Sequence, residues 1–133
     1  MMLTGNNPQL IILRQQFSEV RVLKREFTQT GFFSDLQVSP NIPRLQKRDR
    51  VTITDMSLKS SLLKYGAGFV LFVDDGVIGC LEGFTYGEEW PNPLVHFQLS
   101  YLMESPRGSG KHKSSNERDE GFGLKDLTHD LKD

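Results

Sequence analysis

Two apolar runs, residues 69–73 and 77–84, flank Asp74-Asp75-Gly76. An Asp-Gly pair between such runs predicts a tight hairpin, because glycine takes positive φ without a Cβ clash. With Asp75-Gly76 as the central pair, Val73 faces Ile78 and Leu71 faces Cys80. Phe69, Leu71, Val73, Ile78 and Cys80 then share one face, while Val70, Phe72 and Leu81 share the other. Both faces are apolar, which predicts a central strand pair covered on both sides. Gly79 and Gly83 interrupt the second run and point to a bulge or a close backbone approach.

The period is helical near the start of the chain. Leu10, Leu13 and Phe17 recur at helical spacing, with Arg14, Gln15 and Gln16 left for the wet side. Asn7 is a suitable cap and Pro8 fits the first turn, so a helix is predicted over residues 8–18. From Glu19 the pattern alternates: Val20, Val22 and the stem of Lys24 against Arg21, Leu23 and Arg25, which predicts a strand. Thr28-Gln29-Thr30-Gly31 is a turn, followed by a strand over residues 32–38. Residues 40–50 hold two prolines and four basic side chains and read as a loop. Residues 51–54 return to strand, ending at Asp55-Met56-Ser57, and residues 57–65 fit either a helical turn or an irregular crossing. A sixth strand is expected over residues 94–103.

The predicted fold class is therefore α+β: an antiparallel sheet of about five or six strands, one N-terminal helix and a disordered C-terminal tail. Residues 1–104 form a single domain. The tail, residues 105–133, has four large apolar side chains (Phe122, Leu124, Leu127 and Leu131) among twelve charged ones, too few to offset its ordering entropy. Leu124, Leu127 and Leu131 would line one face of a short terminal helix.

Composition narrows the function classes. The 133 residues carry a net charge of −1, unlike a dedicated nucleic-acid or anionic-membrane binder. One cysteine forms no internal disulfide, and the apolar stretch at residues 10–13 is too short for a signal or a membrane span, so a cytoplasmic protein is expected. His96, His112 and His129 lack metal-ligand spacing with one another or with Cys80, so neither a metal nor a cofactor is expected. Cys80, within an apolar run, reads as a core thiol. Gly66-Ala67-Gly68 precedes a strand, whereas a phosphate loop follows one.

Residues 82–91 concentrate Glu82, Tyr86, Glu88, Glu89 and Trp90. One reading makes Glu82 a general acid or base, with Tyr86 and Glu88 or Glu89 lining a pocket beneath the loop 86–90. The other has Trp90 and Tyr86 sealing the end of the core while the acids stay in water. Nothing else marks the set as catalytic, which leans against an enzyme. On the predicted pairing Glu82 shares the face of Phe69 and Cys80, where it would need Arg21, Lys24 or Arg25 as a partner. Charge adds a broader signal. Residues 1–65 hold ten Lys/Arg against five Asp/Glu, and residues 66–104 hold none against six. Salt bridging between neighbouring strands accounts for this, as does a polarised surface at Asp74, Asp75, Tyr86, Glu88, Glu89 and Trp90 that binds a basic protein partner.

The segment 66–91, with its GFVLFVxDG…LEGFTYGExWP pattern and an upstream R-E-F-T-x-x-G-F-F at residues 25–33, resembles small uncharacterised bacterial proteins. The resemblance covers roughly residues 19–102. It implies no catalytic residues, and by analogy of size and style it points to an immunity-like domain that neutralises a secreted toxin. The tail from Ser105 departs from a compact member of that kind.

Overall fold

A computed structural model describes residues 2–91, 96–103 and 113–115. The elements are α1 (Pro8–Ser18), β1 (Arg21–Thr28), β2 (Gly31–Gln37), β3 (Val51–Ser60), β4 (Leu63–Asp74), β5 (Val77–Thr85), β6 (Phe97–Met103) and β7 (Lys113–Ser115). All pairings are antiparallel, in the order β1-β2-β5-β4-β3-β6-β7. The α+β class and single N-terminal helix are as expected. Of the tail, only Lys113–Ser115 lie within the described residues, as a short strand at the sheet edge. The terminal helix expected at Leu124, Leu127 and Leu131 lies outside them, as do Leu94 and Val95.

Helix α1 starts where the sequence places it: the Asn7 side chain accepts from the Gln9 N–H at 2.8 Å, and Pro8 occupies the first turn. Its buried stripe is different. Leu10, Leu13 and Gln16 are buried, and Phe17, expected in the core, is 48% exposed. Leu10 and Leu13 sit among Leu45, Val51, Ile53, Leu71, Val73 and Ile78 on one face of the sheet. At about 1.5–3 kcal/mol for each fully buried leucine, they fix α1 to β4 and β5. A second cluster, Leu58, Leu63 and Ala67 with Phe69, Trp90 and Leu99 against it, continues the same face.

The β4–β5 hairpin turns at Asp75 (φ 53°) and Gly76 (φ 78°) as the Asp-Gly signal predicts, and Val73 does oppose Ile78. The next pair corrects the expected register. Phe72 opposes Cys80 and Leu71 opposes Leu81, because Gly79 forms a bulge. One extra residue inverts the alternation beyond it. Leu81 turns to the helix-covered face, and Cys80 and Glu82 turn to the opposite one.

That opposite face corrects a second expectation. Val70, Phe72, Cys80 and Phe84 are only partly buried there, and α1 lies on the other side of the sheet. The pair is central in strand order but covered on one face among the described residues. Two boundaries also differ. β3 runs through Asp55-Met56-Ser57 to Ser60, with an irregularity between Ile53 and Met56. Residues 57–65 are the end of β3, a two-residue turn and the start of β4. The bulge absorbs the polar interruption at Asp55, so alternation resumes with Met56 and Leu58 on the core face.

Candidate functional site

Three groups of residues surround the hairpin. The first is its tip. Asp74 pairs with Arg50 at 2.7 Å, and Asp75 with both Arg44 and Arg48 at 3.3 Å. The loop of residues 38–50 thus brings its basic side chains to the two carboxylates expected to face a partner. Behind them Gln16, fully buried, makes three hydrogen bonds. Its Nε2 donates to the carbonyls of Pro43 (2.9 Å) and Gly76 (3.0 Å), and its Oε1 accepts from the Ile78 N–H at 2.9 Å. Leu45 N–H donates to the Gly76 carbonyl at 3.0 Å. Sequence reasoning left Gln16 in water, and only its place three residues after Leu13 hinted otherwise.

The second group is the loop after β5. The Glu88 carboxylate accepts from the N–H groups of Lys64 and Tyr65, both at 3.0 Å, and the Thr85 hydroxyl donates to the Glu88 carbonyl. Thr85 N–H donates to Thr30 O at 2.8 Å and Trp90 N–H to Gln29 O at 3.0 Å. The loop therefore joins the β1–β2 turn to the start of β4, and Glu88 supports the backbone. Trp90 packs edge-on to Phe32 and Phe69, with ring centroids 5.2 and 6.2 Å away. Tyr86 stands apart on the other face, edge-on to Phe84 at 5.6 Å, and it is exposed, as is Glu89. Trp90 seals the core end; Tyr86 does not.

Glu82 lies on the open face, paired in register with Val70 and Phe33. It has no ion pair with Arg21, Lys24 or Arg25: Lys24 pairs with Glu26, and Arg25 Nε donates to Ser34 Oγ at 2.9 Å. Cys80 is beside it. Burial pushes the Cys80 thiol up, and the neighbouring Asp35 and Glu82 carboxylates add to the rise. A thiol held protonated in this way is a poor nucleophile. No cluster of three metal-ligating side chains occurs among the described residues, and no helix among them is long and apolar enough to cross a membrane.

The third group was missed. On the helix-covered face, Phe17 overhangs a cavity of about 300 Å³ bounded by Val22, Arg25, Phe27, Phe32 and Trp90. A second, of about 410 Å³, shares Phe17 and Leu81 with the first and reaches Met2, Leu3 and Arg14. Glu82 borders neither. Phe27, Phe32 and Trp90 form a row, the first two 6.3 Å apart, and Phe32 lies so close over Gly83 that a Cβ there would overlap its ring. The row ends in the open, with Phe27 65% exposed on a strand whose eight residues are all exposed. A signal was present: R-E-F-T-x-x-G-F-F places Phe27 and Phe32 across a tight turn, and Gly83 leaves room above the neighbouring strand.

No family model matches the chain, and neither a curated protein nor a solved structure matches it.

Proposed function

We propose that this protein is a non-enzymatic binding domain that covers a partner protein with the apolar groove beneath Phe17. The observation that carries this reading is the aromatic row ending exposed at Phe27 beside Arg25, a guanidinium in an apolar groove with no carboxylate partner among the described residues. Contiguous apolar surface of this kind, rimmed by charge, is what interaction sites present. The acidic tip is a weaker choice, because a basic partner would have to displace Arg44, Arg48 and Arg50 from Asp74 and Asp75. Catalysis by Glu82 lacks a cavity at that side chain in either groove. The motif resemblance favours an immunity-like form, in which the domain silences the protein it covers.

The test is photo-crosslinking in the cells that make the protein, with benzoylphenylalanine placed at position 27 or at position 75 of the full chain. One protein is expected to crosslink from position 27, and Phe17→Asp should abolish that product. A product from position 75 alone would move the surface back to the acidic tip.

A further inference from the structure

Strand β1 ends the sheet on one side, so among the described residues its outer row of backbone N–H and C=O groups has no strand against it. Natural sheets shorten, bend or charge such edges, since an open edge is a template for another chain. Here the bulge between Val22 and Lys24 interrupts pairing, which leaves residues 24–28 as an uninterrupted run. Within that run, Arg25 and Phe27 turn to the groove, and both line it. Any occupant that extends beyond the sheet passes this edge.

We propose that the partner contributes an extended segment that pairs with residues 24–28 as a further strand of the sheet, with an acidic side chain opposite Arg25 and a large apolar one opposite Phe27. This rests on the groove reading above and names the chemistry of its occupant. Opposed residues on one face of a sheet stand close enough to interact, so the apolar residue caps the Phe27–Phe32–Trp90 row and the carboxylate meets the guanidinium. Two positions separate the two requirements, which is the period of a strand and not of a helix. A cavity of about 300 Å³ accepts a few side chains rather than the long apolar stripe of a helix. A second copy of this chain fits poorly: β1 carries Arg21, Lys24 and Arg25 against Glu26 alone, so two such edges would oppose like charges.

The experiment uses the full chain, labelled with nitrogen-15, and capped nine-residue threonine peptides carrying phenylalanine and glutamate two positions apart. The glutamate peptide should shift the amide signals of residues 24–28 and bind about tenfold more tightly than its lysine counterpart at low salt, the difference shrinking as salt is added. Arg25→Glu should invert the preference. Methylating the peptide's backbone nitrogens along one edge should abolish binding, and along the other leave it intact. Equal affinity for the two peptides overturns the charge assignment. Binding that ignores N-methylation yet disappears in Phe17→Asp overturns strand pairing and leaves the groove reading standing. No shift at β1 with either peptide, together with no crosslink from position 27, removes both. Slow hydrogen exchange at the outward β1 amides before any peptide is added would mean that the edge is already covered, by another part of this chain or by a second copy, and overturns the proposed occupant.

Discussion

The two ends of the hairpin's neighbourhood are built on opposite principles. At the tip, the Gln16 side-chain amide bonds the backbone of Pro43, Gly76 and Ile78, Leu45 N–H bonds the Gly76 carbonyl, and three arginines pair with the two aspartates. At the β1 edge, Val22, Phe27 and Phe17 leave about half or more of their surface in water, and among the described residues Arg25 finds only a hydroxyl. Buried polar groups that are fully paired specify a single arrangement and leave nothing over for a ligand. Exposed apolar groups beside an unmatched charge contribute little to folding and retain their capacity to bind. On the function proposed above, stability belongs to the tip and recognition to the edge.

Gln16→Ala should break the closed end most severely. It strands the Ile78 N–H and the Pro43 carbonyl and leaves a cavity between α1 and the hairpin. A loss of about 4 kcal/mol in a urea unfolding titration is expected from two unpaired groups and the void. Gly76→Ala should cost about 3 kcal/mol, because φ is 78° and the new methyl would overlap the Leu45 carbonyl. The double variant should lose less than the sum, since both changes act on the Gly76 carbonyl. Strict additivity would show that the tip is not one unit.

Local chemistry was legible in the chain and distant chemistry was not. Asp75-Gly76 announced its turn because positive φ is a property of those two residues alone. The register beyond it was lost at Gly79, where one bulged residue reversed the faces of Cys80, Leu81 and Glu82. The charge asymmetry between the two halves was visible, yet its cancellation at Asp74 and Asp75 depends on partners 24 to 31 residues away. Gln16 was hidden for the same reason: an amide in a helix reads as solvated until backbone groups about sixty residues on are brought against it. The groove went unseen because its apolar residues come from α1, β1, β2 and β5 and from Trp90, and only Phe27 and Phe32, across the β1–β2 turn, are joined by a local pattern.

Trp90 stands between the two regimes, partly buried and in contact with both Phe32 and Phe69. Trp90→Ala should cost about 2 kcal/mol, below the range for a fully buried tryptophan because part of the ring is already wet. Trp90→Phe should recover most of it, whereas binding of the glutamate peptide should weaken in both variants.

The sharpest test of the comparison is the smallest effect on folding. Among the described residues Phe27 meets one other ring, that of Phe32, and it is 65% exposed, so Phe27→Asp removes little buried surface. Surface changes away from caps and cores usually fall within about 0.5 kcal/mol, and the urea midpoint should scarcely move. At the same time the new carboxylate would sit near Arg25 and satisfy in cis the charge that the edge otherwise offers to a partner. Crosslinking from a neighbouring position such as 22 should then disappear although the domain is fully folded. If Phe27→Asp instead unfolds the protein, Phe27 belongs to the core, and the division between a closed tip and an open edge fails.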